Sequence, residues 1–80
     1  MKVEVKLFAL LEQYLPAGAH GDGIVLDLPA GTTVGHVVES LRIPGDLSCI
    51  TVVNGHDVPP EHILVAGDVL AMFPPLAGGA

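Results

Sequence analysis

The chain has 80 residues, a formal net charge of −6 and a hydrophobic fraction of 50%. This length indicates one domain with a small core, and the apolar content excludes a disordered chain. Only three residues are Lys or Arg, so no basic patch is available to neutralise phosphates and nucleic acid is not an expected partner. No apolar run approaches the roughly 20 residues of a membrane span. The N-terminus lacks the apolar stretch of a signal peptide, and we expect a cytoplasmic protein.

The first third of the chain predicts two paired strands. Charged and apolar residues alternate from Lys2 to Phe8, which is typical of a strand with one solvent-exposed face and one buried face. A short helical turn is expected before Pro16. The apolar run Ile24–Leu28 follows as a second strand, and the short gap between the two strands favours an antiparallel hairpin.

The main helix is predicted to follow Gly31. Thr32 or Thr33 can cap its N-terminus by accepting from an unpaired backbone N–H group. Arg42 is expected near the helix end, where a cation suits the helix dipole, and Pro44-Gly45 is expected to stop the helix. Four apolar residues recur at helical spacing and predict one buried stripe: Val34, Val37, Val38 and Leu41.

The second half of the chain predicts three more strands. The nearly continuous apolar run Cys49–Val53 indicates a strand buried on both faces, with Cys49 as a core residue. Asn54-Gly55 is a strong two-residue hairpin signal, and a short strand after it ends at Pro59-Pro60. A tight turn at Ala66-Gly67-Asp68 then precedes the last strand, Val69–Phe73.

This order of elements predicts an α+β fold. If the first and last strands lie side by side in the middle of the sheet, they run parallel. One main helix packed across a mixed sheet of four to five strands is the β-grasp, or ubiquitin-like, arrangement. We assign residues 1–75 to this domain and residues 76–80 to a flexible C-terminal tail.

The tail is the candidate functional segment. Pro74 and Pro75 lack backbone N–H groups and cannot extend a sheet ladder, so the chain must leave the sheet there. Gly78 and Gly79 carry no side chains. Residues 76–80 can reach roughly 17 Å when extended, and such a slim tail can enter a narrow channel on a partner. The alternative interpretation is an ordinary frayed terminus.

The sequence indicates neither a metal site nor an enzyme active site. The four histidines and the single Cys49 lack the ligand spacings of zinc sites, so no metal or bound cofactor is expected. Asp57 and Glu61 are candidate acid and base residues, but nothing indicates a cleft around them. No enzyme active site is therefore indicated, and we do not expect the chain to be an enzyme.

Five short motifs, in order, resemble the small subunit of molybdopterin synthase and, more broadly, the MoaD/ThiS-like sulfur carriers. Each motif is weak alone, but together they cover nearly the whole chain. They are Lys6–Glu12, Gly31–Val34, Val53–Gly55, Ala66–Val69 and Phe73–Gly79.

The resemblance implies a sulfur-carrier function. An E1-like adenylyltransferase would use ATP to adenylate the carboxylate of Gly79, sulfur would replace AMP to give a thiocarboxylate, and Gly78 would let the tail thread into its partners. The acceptor would be the large subunit of molybdopterin synthase, in molybdenum or tungsten cofactor synthesis. Thiazole synthase, in thiamine synthesis, is an alternative acceptor.

The sequence departs from the family pattern at Ala80, because the reactive carboxylate of the family belongs to a terminal glycine. Removal of Ala80 by a peptidase is the favoured explanation; tolerance of alanine by the activating enzyme and loss of the chemistry are alternatives. A ubiquitin-like modifier joined to lysines through Gly79, and a non-covalent interaction module, are the other function classes. The sequence leaves the acceptor pathway and the oligomeric state open.

Overall fold

The computed structural model describes residues 1–16, 23–44 and 49–74. The strands are β1 (Lys2–Leu7), β2 (Gly23–Asp27), β3 (Ile50–Val53), β4 (His56–Asp57) and β5 (Val69–Phe73). The helices are a 3-10 helix (Ala9–Tyr14) and the α-helix α1 (Val34–Ser40). The predicted order of elements is confirmed.

The strands form one five-stranded mixed sheet in the order β2-β1-β5-β3-β4. β1 and β5 are parallel neighbours, with Val5 opposite Leu70. β2 pairs antiparallel with β1 on one side, and β3 pairs antiparallel with both β5 and β4 on the other. With α1 packed on one face, this is the predicted two-layer β-grasp fold.

The core lies between α1 and the two central strands. Alternate residues of β1 and β5 face the helix, as the period-two pattern predicts. The fully buried side chains of these three elements are Val3, Val5, Leu7, Val34, Val37, Leu70 and Met72. Burial of each stabilises the fold by about 1.5–3 kcal/mol, so this layer contributes most of the stability of a small domain.

The N-terminus of α1 is closed by a reciprocal pair of hydrogen bonds. Thr33 Oγ1 accepts from the His36 backbone N–H at 3.2 Å, and His36 Nδ1 accepts from the Thr33 backbone N–H at 3.2 Å. This is a capping box in which His36 takes the place usually held by Glu or Gln. Thr33 was one of the two predicted caps, whereas the role of His36 was not foreseen.

The helix ends earlier than the sequence predicted. α1 stops at Ser40, and Arg42 lies beyond it with a φ of 63°. Its backbone N–H donates to Glu39 O at 3.0 Å. Arg42 is therefore not a last-turn cation acting on the helix dipole. Its left-handed conformation, rather than Pro44-Gly45, breaks the helix, because the chain there turns away from the helical path.

The prediction that β3 is buried on both faces is wrong. Val53 faces the core, but Ile50 is 43% exposed and Cys49 is half-buried. The helical layer covers only one side of the sheet, so alternate residues of β3 remain accessible on the other. A continuous apolar run in the sequence does not reveal whether other elements pack on one face of the strand or on both.

Two turns are tied together by side-chain hydrogen bonds that we call the Asn54–Asp68 clasp. Asn54 Nδ2 donates to Asp68 Oδ1 at 2.9 Å, and the Val69 backbone N–H donates to Asn54 Oδ1 at 3.0 Å. The Val65 backbone N–H donates to Asp68 Oδ2 at 2.9 Å. Asn54 and Gly55 have φ values of 51° and 87°, as a tight hairpin of this sequence requires. The clasp fixes the position at which β5 begins.

Candidate functional site

The candidate site begins where β5 leaves the sheet. β5 is paired with β1 on one side and β3 on the other, up to the pairing of Phe73 with Ile50. Pro74 follows outside the strand, consistent with its missing N–H group. Gly78, Gly79 and Ala80 lie outside the described residues, so the roles assigned to them, and the boundary between residues 75 and 76, stay predictions.

Two aromatic rings mark the point of exit. Phe8 and Phe73 stack with centroids 4.7 Å apart and an interplanar angle of 5°. The Phe8 backbone N–H also donates to Met72 O at 3.2 Å. Stacked rings of this kind contribute about 0.5–1.5 kcal/mol beyond the burial of their area. The pair therefore holds the last residue of β5 in a defined place immediately before the tail.

The rings belong to a surface that we call the open face, the side of the sheet turned away from α1. It carries the residues that alternate with the buried ones on β1, β2, β3 and β5. Among its apolar side chains, Phe73 is 37% exposed, Ile50 43% and Val25 58%. Ile50 lies opposite Phe73 across the β3–β5 ladder. An apolar patch of aromatic and aliphatic groups is the composition expected at the centre of a protein–protein interface.

Charged side chains occupy the other part of the open face. Lys2, Glu4 and Lys6 alternate with the buried residues of β1. Lys6 Nζ lies 4.0 Å from Glu4 Oε2, with both side chains more than a third exposed, so this pair contributes little to stability. The face thus carries an apolar group at the tail exit and a mixed region farther from it, where the exposed Val25 lies opposite Glu4; a docking patch with a charged rim has this composition.

Phe8 and Phe73 were not predicted as site residues, although a signal for them exists. Phe8 continues the positions of Lys2, Glu4 and Lys6, the side of β1 that the pattern assigns to solvent. Phe73 likewise alternates with the buried Met72. An aromatic residue on the wet side of two strands indicates a contact surface, but their pairing depends on a register that local patterns do not give.

The described residues bring together no other reactive group. Within them no cluster of His, Cys, Asp and Glu side chains could hold a metal ion. Burial raises the pKa of the Cys49 thiol, so the thiol stays protonated near neutral pH and is a weak nucleophile. Asp57 and Glu61 are both exposed. In the parts of the chain that the structure covers, no helix has the length and apolar character needed to cross a membrane.

A β-grasp domain whose central strand runs past an apolar face toward a Gly-Gly sequence defines the class of ubiquitin-like carriers and modifiers. The family model described as Mut7-C ubiquitin matches residues 1–78, and the chain belongs to that family. No curated protein matches the chain significantly.

Solved structures give the same class. The chain is similar to small archaeal modifier protein 1 (SAMP1) of Haloferax volcanii, with 30% identity, a TM-score of 0.75 and coverage of 99% of this chain and 100% of the other. It is similar to a Pyrococcus furiosus protein assigned as molybdopterin converting factor subunit 1, with 30% identity, a TM-score of 0.72 and coverage of 94% and 98%. A Helicobacter pylori complex of subunits 1 and 2 of molybdopterin-converting factor shares the fold at 21% identity, with a TM-score of 0.60 and coverage of 99% and 100%.

The comparisons confirm three predictions. The resemblance to MoaD-like carriers and the β-grasp fold are both confirmed. These neighbours are small carrier and modifier proteins and not catalytic enzymes, which confirms the prediction of a carrier protein. The pathway and the reactive residues are not decided by them.

Proposed function

We propose that the chain is a sulfur carrier that delivers a thiocarboxylate formed on Gly79, with molybdenum or tungsten cofactor synthesis as its pathway. One observation carries the proposal: doubly paired β5 delivers Phe73 and Pro74 to the edge of an apolar open face, and Gly78-Gly79 begin four residues after Pro74 in the sequence. The rigid strand would position the tail, while the open face would supply the area that a partner recognises.

The chemistry requires a free Gly79 carboxylate, so the peptide bond to Ala80 must first be cleaved. A carboxylate oxygen then attacks the α-phosphorus of ATP and pyrophosphate leaves. A hydrosulfide equivalent supplied by the activating system attacks the acyl carbon of the adenylate, AMP leaves, and the thiocarboxylate remains. Adenylation is needed because a carboxylate is itself a poor electrophile. The carrier contributes no catalytic group, and ATP is used by its E1-like partner.

The open face is the proposed docking surface for the activating enzyme and for the sulfur acceptor. The Helicobacter pylori relative forms a complex with a second subunit, which supports an acceptor of that kind here. An apolar patch around Phe8, Phe73 and Ile50 would pack against an apolar patch of the partner, and the tail would then reach past the interface. The patch lies beside the charged strip of β1, whose groups would set the orientation.

A protein modifier is the second candidate function, because similarity to SAMP1 extends over 99% of this chain at 30% identity. In that case a lysine amine on a target protein, instead of a sulfur nucleophile, would attack the acyl carbon of the Gly79 adenylate or of a thioester derived from it, forming an isopeptide bond as AMP or the thiol leaves. The two functions share the first activation step and differ in the nucleophile that follows. The docking surface and the tail would serve either one.

Intact mass spectrometry separates the candidates. The chain, as produced in its native cell, is incubated with ATP, the E1-like partner and a sulfur source. A sulfur carrier ends at Gly79 and exchanges one oxygen for sulfur, whereas a modifier gives protein-sized adducts. A Gly79→Val variant should lose the product without a change in melting temperature, and Glu12→Ala, in the 3-10 helix, is the matched control. A chain that keeps Ala80 and shows neither product would refute both candidates.

A further inference from the structure

A groove lies on the helical side of the sheet, between α1 and the β3–β4 edge. Its volume is about 570 Å³, within the range of roughly 300–1,000 Å³ typical of binding pockets. Thr51 pairs with the buried Met72 across the β3–β5 ladder, which places the inward side of β3 at the groove. Half-buried apolar side chains that pack on the core also line it: Val38, Cys49 and Val58.

The groove exists because α1 is short. Seven helical residues span only about 10 Å, and the fully buried Val34 and Val37 belong to the core beneath the helix. The start of the helix approaches the loop after β4, where the Gly35 backbone N–H donates to Pro60 O at 2.9 Å. The loop therefore meets the helix at one end and leaves an apolar depression beside it.

Carboxylates stand on both sides of this depression. Glu39 belongs to α1 and Asp57 to β4, and both line the groove and are exposed. In the described part of the chain the ion pairs are Met1–Asp27 and Lys6–Glu4, so no described cation neutralises either carboxylate. No Lys or Arg is among the described lining residues. The walls thus favour a cation and repel an anion, while the floor favours an apolar group.

We propose that this groove binds an extended segment of a partner protein in which one aliphatic or aromatic side chain is flanked by Lys or Arg. The apolar side chain would fill the depression against Val38 and Val58, and the flanking cations would face Glu39 and Asp57. The groove opens on the helical side of the sheet; Ile50, at the end of β3, borders both the groove and the open face, whereas Phe8 and Phe73 are not among the described residues that line the groove. A partner held here leaves Phe8 and Phe73 accessible, so the domain can engage two proteins at the same time.

The test begins with a phage-displayed random heptapeptide library selected on the full chain. We expect enriched peptides to combine one large apolar residue with neighbouring Lys or Arg. A synthetic peptide from that set should shift the NMR amide signals of Val38, Thr51 and Val58 and leave those of Phe8 and Val25, on the open face, unchanged. Failure to enrich any peptide, enrichment of peptides without basic residues, or shifts confined to the open face would overturn the proposal.

Variants that reverse the charge of one groove carboxylate test whether these groups recognise the cations of the peptide. Glu39→Lys and Asp57→Lys should each weaken binding of the peptide by about tenfold, since each replaces an attraction by a repulsion. Glu12→Lys makes the same change in net charge on the 3-10 helix, away from the groove, and should change binding less than twofold. An equal loss in all three variants would show that only net charge matters and would refute a built groove. Circular dichroism verifies that each variant is folded.

Discussion

The two faces of the central strands β1 and β5 differ in how deeply their side chains are buried and in their composition. On the helix side, Val5, Leu70 and Met72 are fully buried. On the open face, Lys6 of β1, Phe8 immediately after β1 and Phe73 of β5 are half-buried or just exposed. The comparison shows how a small domain divides its tasks: one set of alternate residues supplies stability, and the other is available to partners without loss of the fold.

The largest effect is expected from a charge on the buried side. Val37→Asp places a carboxylate at a position with 0% exposure and no ionic partner. The penalty, several kcal/mol, is comparable to the roughly 4–12 kcal/mol of total stability expected for a domain of this size. We therefore expect loss of the cooperative thermal transition in circular dichroism. A Val37→Asp chain that melts like the parent would show that the helix-side layer is not the stabilising one.

An intermediate effect is expected at the Asn54–Asp68 clasp, which sets the start of β5 and hence the register of both faces. Asn54→Asp brings a second carboxylate to the position from which Asn54 Nδ2 now donates to Asp68 Oδ1 at 2.9 Å. Loss of this bond together with the repulsion should cost about 2–3 kcal/mol, measured by urea denaturation.

Asn54→Gly is the control for that change. Glycine keeps the left-handed turn, where Asn54 has a φ of 51°, and removes the side chain without adding charge. Its loss of stability should be smaller than that of Asn54→Asp. Asn54→Gly also removes the Oδ1 acceptor of the Val69 N–H, which Asn54→Asp keeps, so a loss in Asn54→Gly equal to or larger than that in Asn54→Asp would mean that the repulsion costs no more than this single hydrogen bond.

Substitutions on the open face are expected to change stability least and the binding of partner proteins most. Phe73→Ala removes the stack with Phe8 and should lower the free energy of unfolding by about 1–1.5 kcal/mol. Binding to the E1-like enzyme, measured by calorimetry, should fall at least tenfold if the patch is the centre of the interface. Leu10→Ala is the control, because Leu10 is a comparably exposed apolar residue, 52% accessible, on the 3-10 helix. Unchanged binding by Phe73→Ala would remove the open face from the proposal.

Much of the fold was predictable because its signals are local. Three of these signals depend only on residues that are close together in the sequence: the alternation along β1, the apolar stripe beginning at Val34 and the Asn54-Gly55 turn. The exposed side of β3 was not predictable, since a run such as Ile50–Val53 does not reveal which face lacks a covering layer. The left-handed end of the helix at Arg42 was missed because Pro44-Gly45 offers a stronger stop signal.

The site was predictable only in part. The Phe8–Phe73 stack depends on the register between the first and last strands, and that register follows from the whole fold. The groove depends on how far a seven-residue helix covers the sheet, which composition does not indicate. Gly78 and Gly79 were identified from sequence and from resemblance, and their roles stay predictions to be tested by the mass measurement described above.

The parallel pairing of β1 with β5 has a consequence for the timing of folding. The centre of the sheet cannot close until residues near opposite ends of the domain have met, and such long-range pairing is slow compared with local contacts. The stacked rings therefore form only after the last strand has docked. A partner that recognises both rings would pass over a nascent or misfolded chain, so recognition itself would serve as a check that the carrier is correctly folded.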